Sequence, residues 1–574
     1  MSEDQLRATP YKPKKGGGGD MYGTADLVAD LTPIREKLLA AVEINGIGPI
    51  RRDALVEAGS TTDLCIEAAK LEWKRKIEVA GFPGMIAEAR ARAIKAAATN
   101  WELPRMARLW REVAGVLEGD TVLSGRVSVE EIEDQDAGGR YRALRLRWRE
   151  DIKDGWQAPI LHVDATLDLD LVRAYFPKAE LRAEIEAEVP HQMVSQYYDR
   201  TFSKAALAHD EKAVGKLWAW ILAQAFQKGG RWLVVVQKAV EDMIRANFQV
   251  PAFIELAHHN AIAGRDQWKA VDHLAVVGRT QPPPQAVANI AGTLSGRHVE
   301  PLDGDGWYPA TMRTLRAKDG TAVTVEADRH PDDLAENIRA AVCEGEIVQI
   351  IGRGRGVNRT AGDPLDVMVL GTVPVGQIDE LRPWQGPTLD DRLVARSGVW
   401  LSSAGDMAEA YGRKRKAVEK ARQRSETFSY EKLLYGNVSN LRSVTYQRKG
   451  SGRKPAKALY DLRVVPDIET WLVERLGPLA EVEVCETSMS GTEEVAEVAA
   501  YKGGIMPNEL VVLTRDTIRA AGITQEAAAK QISVSRPQLA NALRGRYGLS
   551  PPAADRLLAF LKRPPPLRQP LLLS

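Results

Sequence analysis

The string "EIVQIIGRGRGVNRT", residues 346–360, joins an apolar run to arginines that stand between glycines. Glycine lets a backbone approach a ligand closely, and the guanidinium groups of Arg353 and Arg355 are suited to binding an anion. The β-branched residues before them predict a buried strand that ends at this turn. The string therefore predicts an anion site whose positive charge comes from arginine.

A second concentration of cations lies in residues 411–463, which hold 15 Lys and Arg against 4 Asp and Glu. The local balance is +11 while the 574-residue chain sums to only +1, so the remainder sums to −10. Concentrated positive charge on an acidic body is typical of a surface that binds a polyanion, and nucleic acid is the leading candidate. The alternative is a solvated run of charges without a ligand.

Within this basic stretch, "LRSVTYQRKGSGRKPAKALYDLRVV" predicts two strands joined by a Gly-Ser-Gly loop. Tyr446 and Tyr460 on the two arms could stack on bases, although cross-strand packing is the commoner role. A flexible, cationic loop is suited to contact a phosphate backbone. The candidate DNA-binding side chains of the hairpin are Arg448, Lys449, Arg453 and Lys454.

Near the C-terminus, "GITQEAAAKQISVSRPQLANALRGRYGLSPPAADRLLAFL" predicts a helix, a tight turn, a second helix and a further helix. Thr524 and Ser535 are suitable N-caps, and Pro537 falls in the first turn of the second helix. The segment resembles the helix-turn-helix of phage repressor-like domains, although a plain helical bundle is the alternative. The second helix would offer to a DNA groove the side chains of Arg536, Gln538, Asn541 and Arg544.

The elements that must position these residues follow from changes of hydrophobic period along the chain. Helical spacing dominates residues 26–118, and alternation then predicts two strands with a turn at Gly138 and Gly139. From "APILHVDATLDLDLVRAYFP" to about residue 380, apolar strands alternate with helices, as in a parallel sheet covered by helices. The other strand candidates are "RWLVVVQ", "AFIELAH", "DHLAVVG", "EIVQIIG" and "DVMVLGTV".

We therefore predict a multidomain α/β protein, because domains of about 150 residues give roughly four units. No apolar stretch approaches the ~20 residues that span a bilayer, and no leader is visible, which favours the cytoplasm. Three scattered cysteines and no His/Cys cluster predict no metal site. The predicted parts are a disordered lead (1–25), a helical domain (26–118), a strand-containing segment (119–178), a parallel-sheet domain (179–380), a basic α+β domain (381–500), and a helix-turn-helix domain with a Pro-rich tail (501–574).

"QIIGRGRG" resembles motif VI of superfamily-two (DEAD/DEAH-like) helicases, in whose second RecA-like core arginine fingers meet the γ-phosphate of ATP. Upstream, "RWLVVVQKAVEDMI" resembles motif IV, "NAIAGRDQWKAVDHLAVVG" motif V and "LHVDATLD" motif III, in the family order. The resemblance covers about residues 155–380 and points to helicase-like proteins of bacterial mobile elements. It implies that residues 119–178 are a remnant of a first RecA-like core and that residues 179–380 are the second core.

The resemblance implies that Arg353 and Arg355 are the arginine fingers. Motif VI has its second arginine seven residues after the glutamine, whereas here Arg355 and Arg359 lie six and ten residues after it. Either arginine could therefore be the second finger. The implied nucleotide contacts at the other motif positions are Gln349, Gly352, Gly264 and Asp266.

The half of such a site that grips the nucleotide is missing from the sequence. No G-x-x-x-x-G-K-[S/T] loop occurs, and in "HDEKAVGKLW" Asp210 and Leu217 stand where a glycine and a hydroxyl belong. Without that cradle and a metal-holding pair, a triphosphate is not held for attack, so ATP and Mg²⁺ require a composite site. The other half would be a separate Walker A-bearing polypeptide or a segment missing from this chain. Asp168 and Asp170 have the spacing of a metal pair, but carboxylates at a helix N-terminus are the safer interpretation.

Two functions remain open from the sequence. In the first, the chain is a helicase-like DNA-binding protein of a mobile element. It supplies the arginine-finger core of a DNA-dependent ATPase and does not hydrolyse ATP alone. In the second, it is a non-enzymatic replication or regulatory protein that binds DNA and uses a degenerate RecA-like core as a scaffold. DNA is the expected partner in both cases, and a membrane in neither.

Overall fold

The computed structural model describes the chain in stretches, and these form two compact units. The first comprises residues 1–185, 281–312 and 326–345, and the second residues 186–280, 313–325 and 346–574. No helix among the described residues is long and apolar enough to cross a membrane. The described residues are 3–10, 24–77, 85–133, 139–156, 158–262, 264–302, 307–424, 430–435, 438–450, 454–485, 510–511, 514–515, 517–518, 524–544 and 548–562.

Helices and strands are mixed along the described chain. The helices are α1 (Glu3–Arg7), α2 (Thr24–Asn45), α3 (Arg52–Glu57), α4 (Thr62–Lys74), α5 (Ala87–Ala96), α6 (Leu103–Glu118), α7 (Leu169–Arg173), α8 (Lys204–Leu207), α9 (Glu211–Lys228), α10 (Lys238–Asn247), α11 (Pro284–Ser295), α12 (Asp333–Arg353), α13 (Leu389–Ser397), α14 (Ala404–Ala410), α15 (Arg415–Arg424), α16 (Ile468–Leu476), α17 (Gln525–Gln531), α18 (Arg536–Ala542) and α19 (Pro551–Lys562). The strands are β1 (Gly48–Arg51), β2 (Leu123–Glu133), β3 (Arg140–Leu146), β4 (Gln192–Tyr197), β5 (Trp232–Val236), β6 (Ile254–His258), β7 (His273–Val277), β8 (Ala310–Arg316), β9 (Ala322–Asp328), β10 (Leu365–Leu370), β11 (Glu380–Arg382), β12 (Val399–Leu401), β13 (Leu441–Arg448), β14 (Ala456–Asp461) and β15 (Leu479–Cys485).

The first unit packs helices α2, α4 and α6 against the antiparallel sheet β1-β2-β3. Its core encloses a buried ion pair, in which Arg35 donates to Glu72 at 2.7 Å. Arg75 also donates to Glu72, at 2.6 Å. The helical spacing predicted for residues 26–118 and the two strands predicted after it are confirmed. Of the predicted turn between those strands, Gly138 lies outside the described residues.

Two predictions for the first unit are wrong. Residues 3–7 of the supposed disordered lead form α1, which buries Leu6, and α2 already begins at Thr24. Residues 11–23 of the lead lie outside the described residues. The apolar stretch 158–165 does not form the predicted strand and has no regular secondary structure.

The second unit contains a sheet of parallel strands, in the order β11-β4-β10-β7-β5-β6 among the described residues. All five residues of β5 are buried, as expected for a strand covered on both faces. Apolar residues of α9 and α10 pack on the sheet in one core. The helix-covered parallel sheet is therefore confirmed, with "RWLVVVQ", "AFIELAH", "DHLAVVG" and "DVMVLGTV" as its strands.

An antiparallel sheet of order β12-β14-β13-β15 follows in the same unit. Helices α13 to α16 contribute to its core together with Phe226 of α9. The predicted hairpin is confirmed, because β13 pairs with β14 from Leu441↔Asp461 to Tyr446↔Ala456. Before this hairpin, the chain forms the two helices α14 and α15, with a turn at Gly412 between them.

The last elements are α17, α18 and α19, whose apolar faces share one small core. Thr524 caps α17, where its side chain accepts from the N–H of Ala527 at 3.2 Å. Ser535 caps α18, and Pro537 lies in the first turn as predicted. The C-terminal helix-turn-helix geometry is therefore confirmed among the described residues.

Candidate phosphate and nucleic-acid sites

The segment that carries Arg353 and Arg355 is the end of a helix, not the end of a strand. Cys343, Ile347 and Ile350 recur at helical spacing and are buried along one side of α12, which continues to Arg353. Gly354 then passes close to β10, since a Cβ atom there would lie 2.4 Å from Leu365 Cδ2. The strand predicted for "EIVQIIG" is therefore wrong, although a tight glycine turn does follow the apolar run.

Arg355 is held beside the other implied nucleotide-binding segment. Its backbone is left-handed (φ 55°), and its guanidinium donates a short hydrogen bond to Asp266. This hydrogen bond lowers the pKa of Asp266 below its usual value, with smaller contributions from Lys269 and Arg353. Both partners remain substantially exposed. Two segments far apart in sequence thus meet in one charged loop cluster.

Arg359 has a different environment and is not available to a ligand. It is 6 % exposed, and its side chain donates to three backbone carbonyls, those of Gly354 (2.9 Å), Lys269 (3.1 Å) and Val271 (2.7 Å). These bonds tie the loop after α12 to the loop before β7. Arg359 therefore stabilises the loop after α12. Of the two candidates for the second finger, Arg355 is the exposed one.

The remaining residues of this site lie on the exit of α12 and in the loop before β7. Arg353 is half-buried, and its Nε has no hydrogen-bond partner among the described residues. Gln349 and Gly352 are exposed, and Gly352 has open space around it. Gly264 adopts φ 73° two residues before Asp266, which favours glycine there.

Chain connectivity places this cluster at the amino ends of the parallel strands. Residues 264–272 lead into β7 and residues 354–364 lead into β10, and these strands are neighbours. Parallel sheets more often bind ligands at the carboxyl ends of their strands. There, however, protein groups fill the space, because a Cβ on Gly278 would lie 2.0 Å from Gln237 Nε2. The amino ends carry Arg353 and Arg355.

The segment that resembles motif III begins with an exposed apolar stretch, which has no strand partner among the described residues. Ile160, Leu161 and Val163 are 58 %, 83 % and 86 % exposed, and the backbone of residues 158–163 makes no hydrogen bond within the described chain. Asp164 then accepts from the N–H of Thr166 at 2.7 Å, which lowers the pKa of its carboxyl. Asp168 caps α7. Asp168 therefore serves a helix N-terminus, and no metal-ligand cluster occurs among the described residues.

Some of the predicted cations of the basic hairpin are exposed, whereas another already forms an ion pair within the protein. Lys449 and Lys454 are exposed, whereas Arg453 lies outside the described residues. Arg448 donates to both carboxylate oxygens of Glu409, at 2.6 and 2.8 Å, so its charge is already neutralised. The prediction of a phosphate contact there does not fit this geometry. Tyr446 and Tyr460 are buried, as cross-strand packing requires.

On α18, the predicted groove-facing residues are accessible to different degrees. Arg536 and Arg544 are exposed and Asn541 is half-buried. Gln538 instead closes a capping box, because its Oε1 accepts from the N–H of Ser535 at 2.8 Å. Its predicted role in base reading therefore competes with a structural one.

Sequence reasoning missed Arg515, which lies far from α18 in the chain. Its guanidinium donates to the carbonyl of Leu543 at 2.9 Å and to that of Gly362 at 3.3 Å. Arg515 and Arg544 line a cavity of about 350 Å³ with Asp363. No local motif marks this arginine, since its partners are backbone carbonyls from two distant segments.

Comparison with known proteins bears on the C-terminal part of the chain. Residues 515–571 match the family model for the helix-turn-helix domain. No curated protein matches the sequence. The matched stretch includes α17, α18 and α19, so family and geometry agree on a helix-turn-helix, which indicates DNA binding.

Proposed function

We propose that this protein binds duplex DNA through its helix-turn-helix and supplies the arginine-finger core of a DNA-dependent ATPase. A separate polypeptide would provide the half of the site that holds ATP and Mg²⁺. DNA binding rests on the helix-turn-helix match, and the ATPase role rests on the resemblance to superfamily-two helicases of mobile elements. In this proposal, the parallel sheet is a second RecA-like core.

The observation that carries the ATPase role is the meeting of Arg353, Arg355 and Asp266 in one exposed loop cluster. Arg353 has a hydrogen-bond donor without a partner among the described residues, and in the same part of the chain the guanidinium of Arg355 donates to a surface carboxylate. Phosphate oxygens are good acceptors for both guanidinium groups. When bound, the nucleotide would replace Asp266 as the partner of Arg355, and positive charge would then stabilise the phosphoryl-transfer transition state.

The residues present fit the fingers of such a site and do not fit its cradle. The sequence has no phosphate-binding glycine loop with lysine, and the described residues hold no cluster of metal ligands. Gly352 and Gly264 leave room for a phosphate near Arg353 and Arg355. In the proposed composite site, this chain contributes positive charge, while the partner binds the metal and the phosphates.

The exposed stretch 158–163 supports a partner that carries the missing part of a first core. Apart from His162, its residues are apolar without alternation, which is typical of a strand buried on both faces of a parallel sheet. It is followed by the turn at Asp164 and by α7, so the order is strand-like segment, turn and helix. Such a unit lacks only a neighbouring strand.

The test is reconstitution with the polypeptide encoded directly upstream, in the presence of DNA. This chain alone is expected to show no DNA-stimulated ATPase, and the mixture is expected to show it. Arg353→Ala and Arg355→Ala should each lower the turnover of the mixture by about 10³-fold, as for other arginine fingers. Arg200→Ala is a matched control, since Arg200 is another exposed arginine beside a carboxylate in this unit.

Turnover by the chain alone that Arg353→Ala abolishes would contradict the composite site. An inactive mixture would favour the second candidate, a non-enzymatic DNA-binding protein built on a degenerate RecA-like scaffold. That candidate has one structural observation in its favour, because Asp266 already neutralises Arg355 in the isolated chain.

A further inference from the structure

Six cations of the basic domain have side chains without a partner among the described residues. Four lie at the turn between α14 and α15 or on α15, and two lie at the ends of the hairpin loop; all six are exposed. None of their side chains forms an ion pair or hydrogen bond with another described residue. These cations, which we call the corner-hairpin surface, are Arg413, Lys414, Lys416, Lys420, Lys449 and Lys454.

We propose that the corner-hairpin surface binds the phosphate backbone of duplex DNA as a second site, separate from the groove contacts of α18. In this arrangement, Arg448 is a positioning residue that joins the two parts of the surface and does not contact phosphate. The inference rests on the proposed DNA-binding function and assigns it an additional, sequence-independent site.

Arg448 connects the hairpin to the helix that precedes the turn. It is the last residue of β13, and its two bonds to Glu409 reach the last turn of α14. A further bond of 3.3 Å reaches Asp406, which also accepts from the buried hydroxyl of Tyr446 at 2.9 Å. The hydrogen bonds to Glu409 raise the pKa of Arg448. The residue before Lys449 is thereby tied to α14, whose end leads into the turn that carries Arg413.

The turn and α15 are fixed by buried contacts on their inner side. Gly412 has φ 61°, and the N–H of Arg413 donates to the carbonyl of Ala408 at 2.6 Å. On α15, Val418 is fully buried and Arg422 donates to the carbonyls of Leu401 and Ser402 at 2.7 and 2.8 Å. The exposed lysines therefore project from a rigid element, which reduces the ordering needed when DNA binds.

The geometry favours duplex DNA over single-stranded nucleic acid. Binding of single strands relies on aromatic side chains on which bases stack. Here Tyr446 and Tyr460 are buried, and Tyr411 hydrogen-bonds to the carbonyl of Val399 at 2.6 Å. Among the side chains that the structure describes from 404 to 461, which leave out Phe428 and Tyr435, no large exposed aromatic side chain occurs. These described side chains offer cations without a stacking platform, as expected for contact with a duplex backbone.

The test measures binding of the full chain to a fluorescent mixed-sequence duplex of about 20 base pairs over a salt series from about 50 to 200 mM. The variant Lys414→Gln/Lys416→Gln/Lys420→Gln should reduce the slope of log Kd against log salt by about 0.9 per lysine. Lys449→Gln/Lys454→Gln should reduce the slope by the same amount per lysine, which is about twice 0.9 for the pair. The matched control is Lys204→Gln/Lys212→Gln/Lys216→Gln, which removes three exposed lysines of α8 and α9. It should leave the slope unchanged.

A charge-neutral double variant separates positioning from phosphate contact. Arg448→Met/Glu409→Gln should weaken DNA binding severalfold and leave the salt slope unchanged. The six cations remain in this variant, but the bonds that tie the end of β13 to α14 are lost. If the slope falls by about one, Arg448 contacts phosphate and the positioning role is wrong.

Variants of α18 distinguish failure of this inference from failure of DNA binding as such. Arg536→Ala/Asn541→Ala should reduce preference among duplex sequences, whereas the lysine variants should weaken all sequences equally. If the lysine variants bind like the control while the α18 variant loses binding, the proposal of a second DNA site on the corner-hairpin surface is wrong. DNA binding through α18 would then still stand. If no variant binds differently and the native chain does not bind duplex, the proposed function fails as well. Tighter, lysine-dependent binding of a single strand of equal length would overturn the choice of duplex.

Discussion

Arg355 and Arg359 lie four residues apart and carry the same charge, yet only one of them is exposed to a ligand. The guanidinium of Arg359 donates hydrogen bonds to three backbone carbonyls, whereas that of Arg355 donates to one exposed carboxylate. Motif spacing left the choice between them open. Which arginine is buried depends on the position of the carbonyl groups in the loop before β7. That position follows from the order of the strands in the sheet, which the local sequence does not reveal.

The ion pair of Arg35 and Glu72 gives a prediction about the stability of the first unit. Glu72→Gln leaves the buried guanidinium without its carboxylate, so the free energy of unfolding should fall by about 3–5 kcal/mol. Hydrogen exchange of the α4 and α6 amides in increasing urea would measure it. The control is Glu67→Gln on the same helix, whose exposed pair with Lys70 should contribute less than ~1 kcal/mol. A loss as small as the control's would show that Arg35 finds other acceptors.

Asp366 gives a prediction about acid stability in the second unit. Burial disfavours its charged form, but hydrogen bonds from His273 and Lys228 outweigh this and lower its pKa to about 2. Its ionised form therefore stabilises the fold fully above pH ~4, and this contribution is lost as the pH falls toward 2. Asp366→Asn should remove about 2 kcal/mol at neutral pH and flatten the acid dependence.

Urea unfolding of the second unit at several pH values would measure this effect. Asp242→Asn is the comparison, because Asp242 is an exposed carboxylate paired with Lys238 on α10. It should keep the acid dependence of the native protein. An Asp366→Asn variant with that same dependence would contradict the assignment.

At the scale of elements, the sequence predicted most strands of the parallel sheet and the helices that cover them. The continuous apolar run of β5 and the length of α9 are unambiguous signals of buried elements. The strand prediction for the run 346–352 is wrong because a short window shows β-branching, while α12 extends over thirteen further residues upstream. The stretch 158–163 has a strand's composition but no partner in the described chain. Strand propensity cannot supply a neighbouring strand.

The capping box of α18 gives a prediction at this scale. Ser535→Ala removes the acceptor for the N–H of Gln538 and should destabilise the recognition helix by about 1 kcal/mol. Ser535→Asp should preserve the cap and serves as the control. Thermal unfolding of α18, followed by hydrogen exchange, would measure the change. DNA affinity should fall with Ser535→Ala because fewer molecules present an ordered helix; equal affinity of both variants would argue against α18 as the reading element.

At the scale of the whole molecule, the separation of charge predicts how DNA is approached. The stretch 411–463 carries +11 and the rest of the chain −10, so an oriented field should steer the basic region toward DNA. We expect the association rate with a duplex to fall strongly with added salt, since the Debye length shortens from ~30 Å at 0.01 M to ~10 Å at 0.1 M. Stopped-flow anisotropy would measure it. An association rate independent of salt would show that the acidic remainder cancels the field.

The unpaired stretch 158–163 also affects how the molecule behaves before any partner arrives. An apolar strand with free backbone groups is a template for pairing between identical chains, and hence for aggregation. Pro159 removes one backbone donor from this stretch, and His162 interrupts its apolar side chains. We therefore expect these two residues to limit self-assembly. Their replacement by valine should make the protein precipitate when it is produced, and light scattering of the purified variant would measure this.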